Sequence, residues 1–244
     1  MSSAQAPLLD VHGVESGYGR VQVLRGLSLS VGAGEGVGLF GPNGHGKTTL
    51  LRMLSGLLPV WKGQVSFAGE VTTRATPRRI VGLGLVHVAQ GNTLFPELTV
   101  GEVLDLGAAG PRARSGRRDN LERVFTLFPR LAERRHQRCR TLSGGERQMV
   151  SIGVGLMCVP RMLILDEPTL GLAPKLKDEL CGAIAQIRAS GVPLLVVEQD
   201  VEFLLTLTDR LYLIDHGAVV REIDARQGLN HADVMEVYFG GHSP

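Results

Sequence analysis

GVGLFGPNGHGKTTLLRMLSGLL, Gly36 to Leu58, joins a short apolar run to a Gly-rich turn, and that turn to a helical pattern. GVGLF (Gly36 to Phe40) reads as a buried strand and TTLLRMLSGLL as the helix that follows. Between them GPNGHGKT (Gly41 to Thr48) satisfies G-x-x-x-x-G-K-[ST]. Gly41, Gly44 and Gly46 permit backbone turns that side chains would block. Successive N–H groups can then point inward and form an anion nest at a helix N-terminus. Gly41, Pro42, Asn43, Gly44, His45 and Gly46 are expected to cradle phosphate through their backbone, with the His45 side chain turned to solvent. Lys47 is expected to reach the β- and γ-phosphates of a bound nucleotide, Thr48 to ligate Mg²⁺, and Thr49 to bond the α-phosphate.

Outward from this turn, short apolar segments alternate with longer helical patterns, which predicts an α/β fold with a largely parallel core sheet. LSLSV (Leu27 to Val31) reads as a strand on the near side of the turn before Gly36. QVSFAG and LVHVAQ read as further strands, as do RMLILDEP and VPLLVVEQ, and RLYLIDHGAVVREI predicts a β pair. Between Leu98 and Arg140 the β character fades. LTVGEVLDLGAAG and NLERVFTLFPRL predict two helices joined by the loop PRARSGRRD. The expected organisation is one domain over 1–244, with residues 1–95 and 141–244 as core and 96–140 as a helical insertion.

MLILDE (Met162 to Glu167) is an apolar strand ending in two carboxylates. A strand end beside a phosphate cradle is where Mg²⁺ must be held, so Asp166 is the candidate metal ligand. Glu167, one residue on, points elsewhere and is the candidate general base. Free glutamate has a pKa of about 4.3, so it must act chiefly by orienting and polarising water.

Composition narrows the function classes. Lys and Arg number 26 against 24 Asp and Glu, giving a net charge of +2 that demands no nucleic-acid partner. The three cysteines, Cys139, Cys158 and Cys181, are widely spread, which fits a reducing compartment better than a disulfide framework. MSSAQAPLLDVHG lacks a basic stretch followed by an apolar one, so no signal peptide is expected. No apolar run reaches the roughly 18–20 residues that span a bilayer, so any membrane-spanning partner is another chain.

TLSGGERQM (Thr141 to Met149) adds a second anion-suited turn. Ser143, Gly144 and Gly145 open a helix near Glu146, and hydroxyl, N–H groups and helix dipole all suit phosphate. The same spacing also makes an ordinary capping box. Here the sequence resembles the ABC ATPases, whose signature is LSGGE. The resemblance covers nearly the whole chain, with five motifs in order. It implies a P-loop NTPase core with a mostly parallel sheet, an N-terminal antiparallel β subdomain and an inserted α-helical subdomain. It also implies a head-to-tail dimer, in which Ser143, Gly144, Gly145 and Glu146 of one protomer close over ATP held by the other. Tyr18 matches the aromatic that stacks on adenine. Gln90 matches the glutamine that contacts Mg²⁺ or water. TLGLAP (Thr169 to Pro174) occupies the dimer-contact segment, and FPELTV (Phe95 to Val100) the surface that meets the permease, unless Phe95 and Leu98 only seat the helical insertion.

Some positions depart from that pattern. Gln199 stands where most members carry histidine; it cannot switch charge but can donate an amide N–H to the γ-phosphate. Together with Glu167 and Lys47 it completes the expected catalytic set. Ala173 replaces a usual aspartate, and Val154 a usual arginine at a dimer or helical contact. VEQ, LGLAP, GYG and FPELTV together resemble the ATPases of branched-chain amino acid importers, and the related urea and amide importers look similar. The expected setting is the cytoplasmic face of the inner membrane, beside permease subunits and a second ATPase subunit, identical or different. A soluble non-transport ABC ATPase and a non-hydrolysing nucleotide-binding module are the competing readings. The arginine clusters Arg112 to Arg118 and Arg134 to Arg140 read as a solvated face, with contact to anionic lipid as the sharper alternative.

Overall fold

The computed structural model describes residues 6–91, 94–228, 233, 234 and 236. The first five residues, part of the stretch read above for a signal peptide, lie outside them. The chain opens with a hairpin of β1 (Leu9–Tyr18) and β2 (Val21–Val31). The strand expected at LSLSV is thus the end of an eleven-residue strand in a different sheet from β3 (Gly36–Phe40). Helix α1 (Lys47–Leu54) follows, then β4 (Lys62–Phe67), β5 (Glu70–Val71), α2 (Pro77–Leu83) and β6 (Leu85–Val88). The helical stretch holds α3 (Val100–Gly107), α4 (Arg117–Leu127) and α5 (Pro129–Glu133). The chain then runs through α6 (Gly144–Met157), β7 (Met162–Asp166), α7 (Pro174–Ala189), β8 (Leu194–Val197), α8 (Val201–Leu207), β9 (Arg210–Asp215) and β10 (Ala218–Asp224).

Two sheets organise these elements. The antiparallel one has the order β2-β1-β4-β5, and the larger one β10-β9-β3-β8-β7-β6. All neighbours in the larger sheet are parallel except β10 against β9. Its central strands β3, β8 and β7 are buried at every position because both faces are covered. Met162, Ile164, Leu195 and Val197 pack with α1 and the antiparallel sheet, while Leu163, Leu165, Leu194 and Val196 face the helices on the other side. That second core runs without a break from the sheet through α6 into the helical stretch, joining Leu104, Val124 and Leu131 to Ile152. Each such fully buried side chain contributes about 2 kcal/mol.

Three helix boundaries correct the expectations. The first helix stops at Leu54 instead of Leu58, because Ser55 Oγ donates to Leu51 O at 2.7 Å and Gly56 turns left-handed at φ 72°. NLERVFTLFPRL is two helices, not one. Pro129 drives Phe128 out of helical backbone (φ −128°, ψ 75°) and then starts α5. The loop PRARSGRRD is shorter than expected, since α4 already begins at Arg117.

Candidate functional site

Parallel strands point their carboxyl ends at one edge, and the candidate residues gather there. In register Leu39 pairs with Val197, Asp166 with Val197, and Val88 with Leu165. Gly41, Gln199, Glu167 and Gln90 therefore leave adjacent strands on the same side of the sheet. Glu167 N–H donates to Val197 O at 2.9 Å and Glu198 N–H to Leu39 O at 3.2 Å, so the ladder continues into the site.

The loop from Gly41 to Gly46 takes the conformation its glycines allow. Gly41, Gly44 and Gly46 have φ of 143°, 81° and 106°. At Gly41 the backbone of β9 is so close that a Cβ would lie 2.1 Å from Ile214 O. Helix α1 begins at Gly46 with no side-chain cap, so its first N–H groups face the loop. The buried Lys47 ammonium donates to Gly41 O at 2.7 Å and Pro42 O at 3.0 Å. Burial lowers its pKa, against the pull of Glu167 and Asp166. Thr49 is buried and Thr48 half-buried in the same turn. Tyr18 stands 41% exposed at the end of β1 and accepts from Arg52 Nη1 at 3.2 Å.

Asp166 ends β7 with 2% exposure, and its Oδ1 makes no hydrogen bond. Burial pushes its pKa up to about 6, helped by the neighbouring Glu167 and opposed by Lys47. A buried, unpartnered carboxylate oxygen is the kind of donor a hard dication takes. Glu167 sits in left-handed backbone at φ 45°, strain for a residue with a Cβ. Its carboxylate is held from two sides. Gln90 Nε2 donates to one oxygen at 2.9 Å and Gln199 Nε2 to the other at 3.1 Å. Two amides thus fix the Glu167 carboxylate.

Ser143 caps α6. Its Oγ accepts from Glu146 N–H at 3.3 Å, and its own N–H donates to Glu146 Oε2 at 2.8 Å. Arg134 Nε meets the other carboxylate oxygen at 2.5 Å. Burial works to raise the Glu146 pKa, but the Ser143 and Arg134 hydrogen bonds outweigh it and leave the pKa lowered. Glu146 is therefore engaged within its own turn. A Cβ at Gly145 would meet Leu176 Cδ1 at 2.7 Å, whereas at Gly144 nothing lies within 4 Å. None of the described hydrogen bonds of residues 143–146 reaches the 41–48 loop.

Other residues fall differently from the sequence reading. His45 does not face solvent: its Nδ1 lies 2.6 Å from Asp215 Oδ1, and its ring stacks on His216. Val154 is half-buried against the helical core. Phe95 is exposed, while Leu98 packs on that core. Arg117 pairs with Asp105, Arg118 with Glu122, and Arg138 and Arg140 with Glu97, so much of the arginine charge is locally balanced. Glu198 escaped notice in the sequence. It is buried and accepts from Thr169 N–H at 2.8 Å and Oγ1 at 2.7 Å, tying the segment after Glu167 to the end of β8. A carboxylate inside an apolar run, VVEQ, was the available signal.

Comparison with known proteins agrees with this geometry. Residues 24–170 match the family model described as ABC transporter. The chain is 37% identical over 234 residues to the high-affinity branched-chain amino acid transport ATP-binding protein BraG of Pseudomonas aeruginosa, covering 96% of this chain and 100% of that one. It is 29% identical to the probable branched-chain amino acid transport ATP-binding protein LivG of Methanocaldococcus jannaschii, over 91% and 93% of the two chains. Among solved structures, the ADP conformation of an ATP-binding cassette of an ABC transporter superposes with a TM-score of 0.80 at 26% identity, covering 97% of this chain and 100% of that one.

Proposed function

Because the chain belongs to the ABC transporter ATPase family, we propose that it drives an importer for branched-chain or closely similar amino acids, with Glu167 polarising the attacking water. It is an ATP-binding, ATP-hydrolysing cassette of a transporter. The observation that carries the mechanism is the clamp of Glu167 between Gln90 and Gln199, at the strand end beside the phosphate loop.

In this reading, Tyr18 stacks on adenine and the N–H groups of residues 41–46 cradle the phosphates. Lys47 leaves its loop carbonyls for the β- and γ-phosphates, a small step for a cation whose burial already disfavours its charge. Thr48, Asp166 and Gln90 would hold Mg²⁺, which when bound neutralises phosphate charge. The unpartnered Asp166 Oδ1 supports that assignment. Glu167 orients the water, and the Gln90 and Gln199 amides keep its carboxylate in place as charge moves. Gln199 does this without a titrating group, so no activity inflection arises from position 199.

The open face of Gly144 supports a composite site, in which the Ser143 turn closes over a nucleotide held by a second ATPase subunit. The amino acid importer reading rests on the likeness to BraG and LivG. It places the chain at the cytoplasmic face of the inner membrane against transmembrane permease subunits, with Phe95 as a contact. Among the described residues no helix is long and apolar enough to cross a membrane. The test is phosphate release by the assembled transporter. Glu167→Gln is expected to lower kcat by about 10²–10³ with nucleotide affinity kept. Equal rates for wild type and variant would contradict the assignment, and amino acid uptake into proteoliposomes checks direction and cargo.

A further inference from the structure

We propose that His45, Asp215 and His216 form a site for a divalent transition-metal ion of the Zn²⁺ class, which clamps the phosphate loop to the turn between β9 and β10. One ligand atom from each of the three residues lies within 4.8 Å of the other two, a grouping of which no second example occurs among the described residues. His45 Nδ1 stands 2.6 Å from Asp215 Oδ1, and His216 Nε2 stands 3.9 Å from the same oxygen. Zn–N and Zn–O bonds near 2.0–2.2 Å put tetrahedral ligand atoms roughly 3.3 Å apart, between those two separations. Two imidazoles and one carboxylate suit Zn²⁺, Co²⁺ or Ni²⁺ rather than Mg²⁺, and three protein ligands leave a position for water.

The frame around the cluster is rigid. Gly217 N–H donates to His45 O at 3.1 Å, and Arg25 N–H donates to Gly217 O at 2.9 Å. Gly217 lies so close to β2 that a Cβ there would come within 1.8 Å of Val23 O. His45 and Asp215 are 25% and 20% exposed, so their side chains are held. His216 has a side chain 80% exposed, and its backbone N–H donates to His45 Nδ1 at 3.3 Å. It occupies φ 44° with Gly217 at 81°, the pattern of a tight hairpin turn that places the imidazole over His45.

An ion here would join a residue of the nucleotide-binding loop to the sheet edge and hold the loop in one shape. Metal binding does not depend on the functional reading above; its effect on ATP turnover does. The experiment titrates untagged, nucleotide-free protein with Zn²⁺ by calorimetry, and with Co²⁺ by visible absorption. The variant is His216→Asn, since asparagine tolerates left-handed backbone. Wild type is expected to take up one Zn²⁺, and the variant to bind it at least about tenfold more weakly. Turnover of Mg-ATP is expected to slow with Zn²⁺ in wild type and to be spared in the variant. Equal Zn²⁺ affinity in the two proteins, or no binding by wild type, overturns the site. Absent ATPase activity in both proteins, with the affinity difference intact, would instead count against the catalytic reading and leave the metal site supported.

Discussion

Two helices of this chain start at turns suited to an anion, and they treat their first N–H groups in opposite ways. At α1 three glycines of positive φ, Gly41, Gly44 and Gly46, lead into Lys47, and no side chain caps the helix. At α6 Ser143 and Glu146 cap each other, with Arg134 behind them. An uncapped start leaves N–H groups unsatisfied until something binds, while a capped start is stable alone. The first turn is thus shaped to hold a ligand by itself. The second is finished as a helix end, and in the proposed composite site only its outer face, open at Gly144, would meet a partner's ligand.

Substitution at the two glycines should separate these cases most strongly. Gly41→Ala forces a Cβ against Ile214 O in backbone with φ 143° and should cost about 3 kcal/mol, read by chemical denaturation. Gly144→Ala meets open space and should shift stability by under about 0.5 kcal/mol. If both were equally destabilising, the contrast would break.

The far end of α1 carries the next largest effect. Ser55, after its last turn, bonds His87 Nδ1 at 2.8 Å, and burial holds the His87 pKa down at about 4, with Arg52 adding to the effect. The fold therefore favours neutral imidazole. This contribution is complete above about pH 6.5 and is lost as pH falls toward 4. Between pH 7 and 5, wild type should lose about 2 kcal/mol more stability than His87→Asn, measured by urea denaturation. Comparing the two proteins cancels the opposite trend from Asp166, whose raised pKa makes acid favourable. Smaller again is the cap of α6. Ser143→Ala should cost about 1 kcal/mol and lower Tm by about 2–4 °C, showing that the serine serves its own helix before any ligand.

Much of this was legible in the sequence because it is local. The three glycines, the strand before them and the S-x-x-E spacing each act within a few residues, so pattern and physics coincide. The paired carboxylates at Asp166 and Glu167 were readable for the same reason. What escaped depends on distant partners. His45 finds Asp215 170 positions away, and Glu198 reaches back to Thr169 across α7 and β8. No periodicity carries that information. The break at Phe128 was local and readable in the following proline, but the apolar pattern running through it masked the signal.

The central claim, that one nucleotide is held by the open turn of one subunit and closed over by the capped turn of another, has a direct test. In the Glu167→Gln background, with Mg-ATP and the second ATPase subunit present, sedimentation should show a paired species. Adding Gly144→Gln should prevent that pairing while leaving nucleotide binding by the isolated chain unchanged. Pairing that persists undiminished with Gly144→Gln would contradict the account.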